Sequence, residues 1–230
     1  MEGNRKHAEL ESATESNRGG IGGMTVTLGS KEVVSGRPFT AVEMNTRDLG
    51  ILHGMLADVR SVLVEVEEGA RVLEPYQKLA WRVGGLTHRL LVCDARRLRD
   101  HPEPCVVGFF GDKRPNTDEW ALEEANTAIV AEFHKYPGIL AYASVELPDR
   151  HWANLVLHDD PADVQFWRTS EMHQRAVDSL SPQHYFNVRI HNGRLASGLF
   201  ERPRIVINKT KYFDFSGSEP WRAERTLTPV

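Results

Sequence analysis

The sequence predicts an α+β protein, and three observations predict it. Apolar residues recur at helical spacing in the first half of the chain. In the second half, short runs alternate apolar and polar residues with the period of a strand. From about residue 103 onward, turn-forming residues separate the two kinds in the order strand, helix, strand, strand, helix, strand. At 230 residues the chain is long enough for one large domain, or for a modest domain with additions.

Residues 1–23 are polar and end in Gly19-Gly20-Ile21-Gly22-Gly23. They hold too few apolar side chains to offset the entropy of ordering, and a disordered tail is expected. Residues 24–102 form an N-terminal extension. Thr25–Leu28 and Phe39–Met44 are β-like pieces broken by Gly29, Gly36 and Pro38. Leu49, Leu52, Leu56, Val59, Leu63 and Val66 then recur at spacings of three and four, the stripe of an amphipathic helix, with Asn45 or Thr46 as its cap. Beyond Gly69, a similar stripe runs through Tyr76, Leu79, Val83, Leu86, Leu90 and Cys93. The spacing therefore predicts a helical hairpin over 46–98. Gly84-Gly85 weakens its second arm, and Ser61–Val66 is β-rich as well as periodic.

Residues 103–195 carry the alternating pattern. Pro104–Phe110 reads as a strand, and Asp112–Pro115 as a turn. A helix capped by Asn116 or Thr117 turns Leu122, Ala125, Ile129 and Phe133 inward and stops at Tyr136-Pro137-Gly138. Strands follow over Ile139–Leu147 and His151–His158, joined by Pro148-Asp149-Arg150. Asp159 or Asp160 caps a second helix running to about Leu180, where Ser181-Pro182 ends it. Tyr185–His191 alternates as a strand before the turn Asn192-Gly193. This order is the ferredoxin-like βαββαβ arrangement. Residues 196–230 form a β-rich C-terminal tail, with Arg204–Phe215 placed to pair at a sheet edge or with a partner subunit.

Alternation also assigns faces. Ile139, Ala141, Ala143 and Val145, then Ala153, Leu155 and Leu157, then Phe186, Val188 and Ile190, make apolar faces expected to take the two helices. The opposite face holds Tyr142, Ser144, Trp152, Asn154, Val156, His158, Asn187, Arg189 and His191. It is too aromatic to lie bare in water, so another subunit's sheet, the helical hairpin or a ligand is expected to cover it. On the second helix, about 100° per residue places Phe166, Ser170, His173, Val177 and Leu180 on one side, with Trp167 beside them.

The segment Phe166-Trp167-Arg168-Thr169-Ser170-Glu171-Met172-His173, with its W-x-x-S-x-x-H spacing on the second helix of this strand order, resembles the antibiotic-biosynthesis-monooxygenase-like proteins of the dimeric α/β-barrel superfamily. The resemblance spans residues 103–191. It implies a homodimer in which two sheets close into a barrel, with a pocket between helices and sheet in each subunit. It also implies a cofactor-independent monooxygenase-like activity on a small apolar or aromatic substrate. His173 would then be the base, Ser170 a hydrogen-bonding partner, Trp167 and Phe166 the ring contacts, and Trp152, Asn154 and Tyr142 further substrate contacts. The alternative is a dimer that binds such a ligand without turning it over. Haem is a third, disfavoured reading. The haem-degrading branch implies a histidine where this chain has Val177, and an asparagine on the first strand, which Pro104–Phe110 lacks.

Composition bounds the remaining classes. A net charge of −4 argues against a dedicated nucleic-acid binder. No apolar run reaches membrane-spanning length, and the first residues lack the apolar region of an export signal. Cytoplasmic residence is the resulting expectation. Cys93 and Cys105 form neither a disulfide framework nor a zinc motif, and the histidines show no metal-ligand spacing, so no metal site is expected.

Overall fold

The structure, a computed structural model, describes residues 24–148 and 151–227. The expected tail over 1–23 and the last two residues of the expected turn, Asp149 and Arg150, lie outside the described residues. In chain order the elements are β1 (Val26–Thr27), α1 (Val42–Glu67), β2 (Lys78–Val83), β3 (Leu86–Val92), α2 (Ala95–Asp100), β4 (Cys105–Lys113) and α3 (Glu119–Ala131). Then come β5 (Ile139–Glu146), β6 (Trp152–His158), α4 (Pro161–Trp167), α5 (Glu171–Arg175), a π-helical turn (Ala176–Leu180), α6 (Ser181–His184), β7 (Tyr185–Ala196), β8 (Arg204–Asp214) and β9 (Trp221–Thr226). The class is α+β. A mixed sheet of nine strands runs in the order β1-β9-β8-β7-β4-β6-β5-β3-β2, with β1 parallel to β9 and every other pairing antiparallel. None of its described helices is long and apolar enough to cross a membrane.

The first helix forms as the stripe demands. Leu52, Leu56, Val59 and Leu63 are buried, joined by Met55 and Val62. The helix begins earlier than expected, at Val42, because Asn45 serves as a buried hydrogen-bonding residue inside it rather than as a cap. Consequently Phe39–Met44 is a helical entry and not a β piece.

The second arm of the expected helical hairpin is instead the β2–β3 hairpin. Gly84 (φ 58°) and Gly85 (φ 87°) both take the left-handed conformation of a two-residue strand turn, so the glycines that weaken a helix are the turn itself. Leu79 pairs with Leu90, and Lys78 with Leu91, so apolar residues fall on both faces of this pair and mimic a helical repeat. Two further corrections have similar causes. Asn192-Gly193 is a bulge inside a long β7 and not a turn, because β8 is present to extend the pairing. The helix expected from Asp160 to Leu180 breaks at 168–170, so a single wheel does not describe it.

The sheet is covered on both sides, and the faces differ from the expectation. Ala141, Ala143, Val145, Ala153, Leu155 and Leu157 pack against α1, not against the two later helices. Gly108 sits where α1 crosses closest: a Cβ there would lie 2.9 Å from the Leu52 methyls. Phe186 is exposed, and β7 turns Arg189 and His191 toward α1 where an apolar row was expected. The opposite, aromatic face takes α3 and α4, through Val130, Phe133 and Trp167 packed on Leu91, Cys93, Ile139 and Tyr142.

Candidate functional site

The site that the sequence singles out lies between α3, α4–α5 and the aromatic face of the sheet. Asp160 caps α4, its carboxylate accepting from the Asp163 amide at 2.9 Å, with Pro161 in the first position. The helix ends at Trp167. Ser170 then starts α5: its Oγ accepts from the His173 amide at 3.1 Å and donates to Glu132 Oε2 at 2.7 Å, tying the new helix to the end of α3. The Ser170 hydroxyl is thus engaged in capping, and its hydrogen bonds go to the His173 backbone and Glu132 rather than to the His173 ring.

Trp167 is the centre of a ring array. Its indole meets Phe133 at 5.3 Å, Tyr136 at 4.9 Å and His173 at 5.3 Å, all edge-on, and Phe133 continues to Tyr142 at 5.6 Å. The Tyr142 hydroxyl donates to Asn126 Oδ1 at 2.9 Å and lies 3.2 Å from Asn154 Oδ1, while burial pushes it up to about 12. Trp167 thus meets His173 directly and is linked to Tyr142 and Asn154 through the Phe133 ring. Phe166 is half exposed and packs outside them on Tyr136 at 5.0 Å. Trp152 lies at the far end of β6, under the Arg89 guanidinium at 4.3 Å, and Arg89 in turn holds Glu123 of α3.

Beside this array lies a polar group that the sequence reading did not assemble. His158 ends β6 and pairs with Cys105 of β4, while Asn192 of β7 pairs with Val107, so both flank β4 on the side of α4. Arg168, directly after α4, donates to Asn192 Oδ1 at 3.4 Å and to Gln165 Oε1 at 3.2 Å. Burial pushes His158 and His173 down to about 4, with repulsion from Arg168 added in both. His158 Nδ1 and Asn192 Nδ2 are buried and find no hydrogen-bond partner among the described residues. The alternation Asn154, Val156, His158 was the one legible sign of His158; nothing in the sequence marks Arg168 or Asn192.

A second polar network lies under α1. Asp48 takes both Arg189 Nε at 2.6 Å and Nη2 at 3.2 Å, and also His191 Nε2 at 3.0 Å; the other His191 nitrogen meets Thr210 Oγ1 at 2.9 Å. Burial alone would raise the Asp48 carboxyl, but the bonds from His191 and Arg189 outweigh it and hold it below its usual range. All four side chains are closed off from solvent. A cleft of about 340 Å³ opens nearby between Phe39, Met44, Asp112, Phe186, Asn187 and Asp214. Asp159, Asp160 and Asp163 cluster within 4.8 Å, but Arg97 and His101 engage Asp159.

No protein-family model matches the chain, and no curated protein does. Two solved structures are similar to part of the chain. Protein SO0527 from Shewanella oneidensis is 14% identical over 41% of this chain and 92% of its own, with a TM-score of 0.36. PA3566 from Pseudomonas aeruginosa is 20% identical over 40% of this chain and 93% of its own, also with a TM-score of 0.36. Likeness at that level assigns no activity.

Proposed function

We propose that the protein binds a small, flat, largely apolar molecule between α4–α5 and the sheet. The carrying observation is the ring array of Trp167, Phe133, Tyr136 and Tyr142 with a half-buried, uncharged His173 at its side. We read β4 through β7, with α3 and α4–α6, as a ferredoxin-like unit, on the support of the all-antiparallel strand order β7-β4-β6-β5. A homodimer belongs to this reading, though not one built by closing two sheets into a barrel. Helix α1 lies on one face of the central strands and α3 and α4 on the other, which leaves sheet edges or helix surfaces for the partner.

Turnover is the second reading. A cofactor-independent oxygenase can convert an activated ring methylene and O2 into a carbonyl and water, a step that balances without an added reductant. It needs the substrate as an electron-rich anion. His173 held near 4 is a weak base at neutral pH, which favours binding over proton abstraction by this residue. Haem stays disfavoured, since Val177 stands where the haem-degrading branch implies a histidine.

Titration with 2-naphthol by calorimetry, beside an oxygen electrode, tests the reading. Saturable binding weakened about tenfold in Trp167→Ala, and less in the better-packed Trp167→Phe, is expected. Absence of binding by the folded wild type overturns it; oxygen uptake with the ligand moves the conclusion to the oxygenase.

A further inference from the structure

We infer that the ligand of this site carries an oxyanion, a carboxylate or phenolate on the flat ring, and that Arg168, Asn192 and His158 hold it. The inference rests on the binding reading above and names the chemical class that the site selects.

Arg168 carries the argument first. Its guanidinium is half-buried, and burial lowers its pKa, yet its hydrogen bonds go only to the neutral oxygens of Gln165 and Asn192. Among the described residues it makes no ion pair. A charge withdrawn from water without a counter-charge is costly. Arg189, by contrast, is gripped bidentately by Asp48, and Arg225 has three acceptors, the carbonyls of Gly29 and Glu32 and the Tyr212 hydroxyl, against the two long bonds of Arg168 at 3.2 and 3.4 Å.

Two more donors stand beside it. Asn192 presents its Oδ1 to Arg168, which leaves the Nδ2 amide hydrogens without an acceptor. His158 is 1% exposed with Nδ1 unpartnered, and a neutral imidazole can carry its proton on that atom. Arg168 and Asn192 are in contact, and His158 flanks the other side of β4 on the same face of the sheet, so three donors border one region in which two of their buried nitrogens have no acceptor among the described residues. A cation is repelled there by Arg168, and a neutral apolar group leaves all three unsatisfied. An oxyanion accepts from each and supplies the missing charge. The Trp167 array adjoins through His173, and a ring bearing such a group would extend from these donors toward it.

Paired probes that share one ring test this: 2-naphthoate and its neutral counterpart 2-naphthamide, titrated into wild type and variants. The wild type is expected to bind the carboxylate at least tenfold more tightly. Arg168→Gln should abolish that preference by weakening the carboxylate far more than the amide, and Arg168→Lys should retain part of it. If Arg168→Gln fails to fold, Asn192→Asp provides the check, since an added negative charge should reverse the preference. Equal affinities in wild type overturn the oxyanion assignment and leave the ring site standing, as expected if buried water alone satisfies the donors. No binding of either probe or of 2-naphthol overturns both.

Discussion

Among the described histidines, His158 and His173 hold protons least willingly. Both are pushed down to about 4, by burial first and then by Arg168, from the 6.5 of a free imidazole. Each is uncharged in the folded chain and takes up a proton on unfolding between those two values, so the unfolded state binds more protons there. Stability is therefore fully present above about pH 6.5 and declines as pH falls toward 4, at up to about 1.4 kcal/mol per pH unit for each histidine. Denaturation midpoints measured from pH 7 to 4.5 should show this decline, and His158→Gln should flatten part of it. An identical slope in the variant would assign the loss to other groups. At this scale the sequence drew attention to Trp167, His173 and Tyr142 because aromatic and imidazole side chains stand out among apolar neighbours, and to Asn154 by its place in the β6 alternation. It misassigned Ser170, whose hydroxyl is drawn to the first free amides of α5 by a helix break that periodicity does not reveal. Arg168 was invisible for a different reason: an arginine looks solvated until the structure shows it half-buried with no carboxylate beside it among the described residues.

At the scale of elements, the legible parts were those with one buried face. Helix α1, with its stripe of Leu52, Leu56, Val59 and Leu63, and strands β5 and β6 appear where the pattern placed them. The hairpin of β2 and β3 did not, because residues such as Leu90 and Leu91 face opposite layers, and a sheet buried on both sides loses its period of two. The two readings of Gly84-Gly85 make opposite predictions. Within a helix, alanine would stabilise by about 1 kcal/mol per position. In the observed turn, Gly84→Ala and Gly85→Ala should each destabilise by about 1 kcal/mol, since both residues have positive φ. Chemical denaturation of the two single variants decides the sign.

For the whole molecule, the α+β class followed from the mixture of periods, while the three-layer arrangement did not. The sequence offered one strongly apolar face and one aromatic-polar face, and the apolar one went to the longest helix. That helix buries more side chains than α3, of which only Val130 is fully covered. Strand β9 was overlooked because Trp221–Thr226 is short and half charged, and its pairing with β8 and β1 exists only through partners distant in sequence.

That pairing orders events in time. Val26 and Thr27 lie beside Ala223 and Glu224, Arg225 reaches back to Gly29 and Glu32, and Asp48 waits for Arg189 and His191. During synthesis, the residues before α1 and the first turns of α1 therefore emerge from the ribosome long before anything they dock onto has been made. The middle strands can pair while those early residues remain solvated and open to proteases. A chain stopped after residue 216, lacking β9, should keep protection in β4 through β7 yet be cleaved readily before Val42; equal resistance of the full-length and shortened chains would show that the early segment closes without β9. A strand made late thus acts as the latch for the segment that precedes α1.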